Sequence, residues 1–174
     1  RVDLGGIAKG WAVDRSIELL KKRGIAHARV TAGGDTRLLG DRRGRPWTVG
    51  IRDPRQQGKV IAVLPLADTA ISTSGDYERF FDDDSGVRHH HIINPRTGKS
   101  ASGVRSVTVI AADATTTEGL TKSVFIKGPV DGLRLINSLK NVDAVVIDAQ
   151  GRMQVSPGLQ SLPSETANSA GSGR

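Results

Sequence analysis

Apolar side chains recur at near-helical spacing at the start of the chain. Ile7, Trp11, Ile17 and Leu20 share one face, Lys21 and Arg23 suit the negative end of a helix dipole, and Gly24 stops the run. This pattern predicts an amphipathic helix over residues 7–23. The period then shortens. Residues 27–31 (HARVT) read as a strand ending at Gly33-Gly34-Asp35, and residues 47–52 (WTVGIR) alternate until Asp53-Pro54 closes them. Residues 59–66 (KVIAVLPL) and 68–72 (DTAIS) read as further strands. A loop over 82–88 leads into His89-His90-His91-Ile92-Ile93-Asn94-Pro95. After the Arg96-Thr97-Gly98 turn, residues 106–111 (SVTVIA) predict a buried strand. Helices are expected over 115–127 and 130–140, and a last strand over 143–147. Charged, glycine-containing turns separate most strands, which favours antiparallel connections. The reading is α+β, a mainly antiparallel sheet packed with helices. From position 156 Ser, Pro, Gly and Ala dominate, so a disordered tail is expected over 156–174 behind a folded domain over 1–155.

A chain of 174 residues suits one domain with a real core. It opens with Arg1 directly before a motif-dense stretch, so a missing N-terminal part is expected. No apolar run approaches the ~18 residues of a membrane span. The absence of cysteine rules out disulfides, thiol nucleophiles and Cys-type zinc sites, and leaves the compartment open. The formal charge is +7, and many basic residues crowd between positions 37 and 59. Two Trp, one Tyr and three Phe are too few for a base-stacking platform, so this is read as a solvated face and no nucleic-acid partner is expected.

Five segments carry candidate chemistry. Gly5-Gly6-Ile7-Ala8-Lys9-Gly10 places a glycine pair at a helix entry, where backbone N–H groups and the dipole favour a phosphate, with Lys9 to neutralise it. An ordinary strand-turn-helix entry has the same look. Gly33-Gly34-Asp35 permits positive φ or close ligand contact, or is a plain turn. Ser72-Thr73-Ser74-Gly75 offers three hydroxyls to a pocket, or ends a strand. Of His89, His90 and His91, neighbours in an extended segment point to opposite faces, which disfavours one metal site and leaves a single histidine for acid–base work, or an exposed polar loop. In residues 113–122 (DATTTEGLTK), Thr115 or Thr116 would cap the helix. Glu118 and Lys122 are either a surface pair or, through the carboxylate, a place for Mg²⁺ beside a phosphate.

Taken in order, VDLGGIAKGWAVDR, AGGD, WTVGIRDP, ISTSGDYERFF, HHIINPRTG, SVTVIA and TEGLTKSVFIKG resemble the ApbE family of FAD:protein FMN transferases over about residues 1–155. The resemblance implies an ApbE-like, T-fold-like α+β fold whose N-terminal portion lies outside this chain. It implies transfer of the FMN half of FAD to a threonine hydroxyl of a target protein, with AMP leaving. By the same resemblance Gly5, Gly6 and Lys9 would meet the FAD diphosphate, and the Ala8 carbonyl and Glu118 would hold Mg²⁺. Gly33, Gly34, Asp35, Thr73, Ser74, Gly75 and Ile92 would line the FAD site, and His91 would be the catalytic base. Two positions depart from the family pattern of an Asp followed four residues later by a Thr. Here they are Glu118 and Lys122, and the Lys122 ammonium would bear directly on the diphosphate. Asn94 stands where Asp is common. The resemblance further implies a periplasmic setting, with lipid anchoring to the inner membrane through the missing N-terminus, and a subunit of a membrane redox complex as acceptor. A carrier or assembly factor that binds FAD without transfer, or an FAD pyrophosphatase, would fit the same motifs.

Overall fold

A computed structural model describes residues 4–160. In chain order its elements are helix α1 (Ala8–Lys22), strands β1 (Ala28–Ala32), β2 (Asp35–Leu39), β3 (Trp47–Arg52), β4 (Val60–Leu66), β5 (Ala70–Gly75), β6 (Phe80–Asp82), β7 (Arg88–His90) and β8 (Val104–Ala111), helix α2 (Ala114–Asn137), and strands β9 (Asp143–Asp148) and β10 (Met153–Val155). A 3-10 turn follows at Pro157–Leu159.

Six strands form one sheet in the order β1-β2-β5-β8-β9-β10, and every neighbouring pair is antiparallel. The central strands are buried on both faces, and alternate residues define two layers. Val107 and Val109 of β8 join Ala144 and Val146 of β9 beneath α2, packed with Val124, Phe125 and Ile136. On the other face Ile71, Ile110, Val145 and Ile147 meet Ile51 and Leu64 of the β3–β4 hairpin. Helices therefore cover one side of the sheet and a hairpin the other. Each fully buried side chain of this size contributes roughly 1.5–3 kcal/mol relative to an exposed one.

Two backbone features decide the local geometry. Gly33 and Gly34 have φ of 54° and 95°, and Ala32 pairs with Asp35 across them. That is a two-residue hairpin with both central residues at positive φ, which a Gly-Gly pair reaches without strain. The second is the break in α2. Gly128 sits at φ 81° and ψ 176°, immediately before Pro129. Proline removes a helix donor and disfavours α geometry in the residue before it, so two expected helices appear as one element with a kink.

Several boundaries differ from the sequence reading. The segment that follows the Gly-Gly turn is strand β2, and the strand expected over 68–72 runs instead from Ala70 to Gly75. Strand β10 and the short β6–β7 pair were not anticipated. Part of the expected tail is ordered: Ser156 is 2% exposed, its backbone N–H donates to the Ala144 carbonyl, and Leu159 packs against the hairpin-side core. Residues 161–174 of that tail lie outside the described residues. No helix among the described residues is long and apolar enough to cross a membrane.

Candidate functional site

Helices α1 and α2 cross where Gly10 faces Ala114, and a Cβ at Gly10 would run into the Ala114 carbonyl. This closeness lets the Gly10 N–H donate to Glu118 Oε2 at 2.8 Å. Asp14, one turn further along α1, accepts from the backbone N–H groups of Ala114 and Thr115, both at 2.8 Å, and from the Thr115 hydroxyl at 2.7 Å. The N-cap of α2 is Asp113, which accepts from the Thr116 N–H. Thr115 and Thr116 thus donate to carboxylates and do not themselves cap the helix. Two carboxylates at its positive end are favoured by the dipole as well as by hydrogen bonding.

The α2–sheet contact beneath is polar. Ser72 bonds Thr117 at 2.7 Å and Ser74 donates to Thr121 at 2.9 Å, all four buried. The Thr121 hydroxyl also donates to the Glu118 carbonyl at 2.8 Å. Residues two apart on β5 therefore meet residues four apart on α2, which fixes the rotation of the helix and aims Glu118 toward α1. Thr73 points to the opposite face of β5 and bonds Thr108 at 2.8 Å. Gly75 is packed against the Tyr77 ring, so a Cβ there has no room.

Four charged side chains converge above this frame. Lys9 Nζ donates to Asp35 Oδ2 at 2.6 Å and to Glu118 Oε1, while Lys122 Nζ reaches Glu118 Oε1 at 3.2 Å. Their exposure is graded: Glu118 0%, Asp35 4%, Lys122 26% and Lys9 44%. The carboxylates are the buried members of the group and the lysines its exposed ones. Burial alone would raise the Glu118 pKa, but donation from Lys9 and Gly10 and the charge of Lys122 outweigh it and hold it below 4.5. Burial would lower Lys9; its bonds to Asp35 and Glu118 prevail and raise it above 10.5. Lys122 is held below 10.5, first by desolvation, with Glu118 opposing. The Gly33-Gly34 turn lies against this group, since a Cβ on Gly33 would sit 3.1 Å from Lys9 Cδ.

The three histidines separate. His89 Nε2 meets Asp83 at 2.8 Å and its ring stacks on Phe81, with centroids 5.0 Å apart. His90 is buried, donates from Nε2 to the Ala101 carbonyl at 2.8 Å and stands edge-on to Phe125. His91, just past β7, is exposed, and its Nδ1 donates to the Arg79 carbonyl at 3.4 Å. Because a carbonyl only accepts, Nδ1 carries the proton and Nε2 keeps its lone pair. Desolvation holds the His91 pKa below 6.5; the Arg79 carbonyl opposes this, and the charges of Arg79 and Lys122 reinforce it.

Lys9, Gly33, Gly34, Asp35, Glu118 and Lys122, expected from the sequence, are brought together. Gly5, Gly6 and Ala8 enter or begin α1 beside Lys9. Thr73 and Ser74 lie on opposite faces of β5 with their hydroxyls engaged, and Ile92 is a core residue, 4% exposed. The sequence reading missed Asp14 and the Thr117–Thr121 pair. The spacing of Thr117 and Thr121 against Ser72 and Ser74, four on a helix against two on a strand, was their only signal.

The described residues thus form an antiparallel sheet with two crossed helices, a group of two lysines on two buried carboxylates where the helices meet the β1–β2 turn, and an exposed histidine past β7. Residues 1–146 match the ApbE family, to which this chain belongs. It is 38% identical over 170 residues to the FAD:protein FMN transferase of Treponema pallidum, covering 91% of this chain and 47% of that protein. To the enzyme of the same name from Vibrio cholerae it is 42% identical over 135 residues, covering 76% and 40%. Its fold superposes on the crystal structure of the ApbE protein of Thermotoga maritima with a TM-score of 0.84 at 39% identity, covering 91% of this chain and 52% of that one. The flavin transferase ApbE of Vibrio cholerae gives a TM-score of 0.77 at 33% identity, covering 90% and 50%. The chain thus spans about half the length, or less, of these relatives.

Proposed function

We propose that the protein transfers the FMN moiety of FAD to a threonine hydroxyl of a partner protein. The observation that carries this is the paired ammoniums of Lys9 and Lys122 on Glu118 and Asp35, with Lys122 also among the charges that lower the His91 pKa. FAD is the substrate. Its diphosphate would lie on the two ammoniums, with the Gly33-Gly34 turn giving close backbone approach. His91 Nε2 takes the proton of the acceptor hydroxyl. As the threonine oxygen forms its bond to the FMN-side phosphorus, the bond from that phosphorus to the bridging oxygen breaks, and AMP leaves with that oxygen. The Lys9 and Lys122 charges offset the negative charge that accumulates on the diphosphate. A periplasmic, lipid-anchored enzyme acting on a subunit of a membrane redox complex is part of the same proposal.

The family resemblance also implies Mg²⁺, and the donor set here does not fit it. Mg²⁺ takes near-octahedral oxygen ligands at about 2.0–2.1 Å. Both Glu118 oxygens already accept from Lys9, Gly10 and Lys122, and Asp35 accepts from Lys9. Among the described residues no group of three or more His, Asp or Glu could hold a metal ion.

The test is release of AMP from FAD in the presence of a threonine-bearing acceptor domain. His91→Ala is expected to lower the rate by roughly 10²–10⁴-fold while FAD still binds. Unchanged AMP release in that variant would remove His91 from the chemistry. FAD binding by the wild type without AMP release would leave a carrier.

A further inference from the structure

We propose that in this protein the Lys122 ammonium supplies the positive charge that a divalent cation would otherwise bring to the substrate diphosphate, so that FAD is engaged without a metal. This rests on the reading of the Lys9–Lys122 surface as the diphosphate site. Three observations carry it. Lys122 Nζ lies 3.2 Å from Glu118 Oε1, the carboxylate best placed to ligate a cation. The other oxygen of that carboxylate is held by the Gly10 N–H at 2.8 Å, and Lys9 shares Oε1. A metal ion entering here would have to displace both ammoniums and then stand beside them, with like-charge repulsion in a partly desolvated site.

The ammonium is also suitably mounted. Glu118 and Lys122 are one turn apart on α2, whose rotation is fixed by the Ser72–Thr117 and Ser74–Thr121 bonds. Lys122 keeps 26% of its side chain exposed, so its three donors can leave Glu118 in part and meet phosphate oxygens. Two carboxylates balance two ammoniums before the substrate arrives. Diphosphate oxygens would favour the charged form of Lys122, opposing the desolvation that lowers its pKa.

The experiment measures FAD binding by quenching of flavin fluorescence, in EDTA and in millimolar Mg²⁺, and separately titrates the protein with Mn²⁺ by electron paramagnetic resonance. Wild-type affinity is expected to agree within about two-fold between the two buffers, with no Mn²⁺ bound at stoichiometric concentrations. Lys122→Thr is expected to weaken FAD binding by roughly ten-fold or more in EDTA, with recovery in Mg²⁺. Lys122→Arg, which keeps the charge, should stay insensitive to EDTA. A wild-type affinity that falls ten-fold or more in EDTA, or a Mn²⁺ signal saturating at one ion per chain, would overturn the proposal. The wild-type arm decides even if a variant fails to fold. Absence of FAD binding in both buffers would overturn the reading of the site itself, whereas EDTA-sensitive binding would overturn the metal-free inference alone.

Discussion

His89, His90 and His91 share a side chain and differ in everything that sets its chemistry. His89 is held by Asp83 and stacked on Phe81, while His90 is sealed against Phe125 with its ring N–H on a carbonyl. His91 is exposed, meets neither a carboxylate nor a stacked ring, and keeps Nε2 free, while desolvation first, with the charges of Arg79 and Lys122, favours its neutral form. Alternation along an extended segment was legible from the sequence and argued for one working histidine. Which one depended on contacts from Ala101, Phe125 and Arg79, far enough along the chain that no local pattern encodes them. A base must be neutral to accept a proton, and the His91 pKa lies below 6.5, so activity should rise with pH through a midpoint under that value. Lys122 is among the charges that lower it. In Lys122→Thr, assayed with Mg²⁺ absent, the midpoint of the kcat/KM profile should therefore move upward; a downward shift would show that Lys122 does not act on His91.

Helices α1 and α2 position the charged group because they approach closely at Gly10 and are locked by Asp14. Three donors at the start of α2 end on that one carboxylate, at 2.7–2.8 Å. Asp14→Ala leaves the Asp113 cap in place and frees three donors, so a loss of about 1–2 kcal/mol is expected in urea unfolding. FAD affinity should fall with it, because Glu118 rides on the same turn of α2. A variant as stable as wild type would mean that Asp113 alone serves the helix end. The helices themselves were legible within one to three residues at each end, and the break at Gly128-Pro129 was expected as a gap between two helices. The bonds between them were not. Thr115 and Thr116 looked like caps because threonine is a common one, and the carboxylate that receives Thr115 stands 101 positions earlier in the chain.

Sheet and site come from different kinds of signal. Strands β3, β4, β8 and β9 carry long apolar or alternating runs, and the sequence pattern located each of them to within two residues at either end. Strand β2 follows a glycine pair so tightly that its first residue reads as part of the turn, while β6, β7 and β10 have three residues each, too few to show a period. The Lys9, Asp35, Glu118 and Lys122 grouping spans 113 positions and became visible only through the order of motifs, not through any one of them. Its assembly from α1, the β1–β2 turn and α2 makes this charged group a property of the fold as a whole. The most direct measurement is the intact mass of a threonine-bearing acceptor domain after incubation with this protein and FAD. A gain equal to one FMN, located on the threonine and absent when His91 is replaced by Ala, is the predicted result. An unmodified acceptor, with FAD bound to the protein throughout, would contradict the transferase reading.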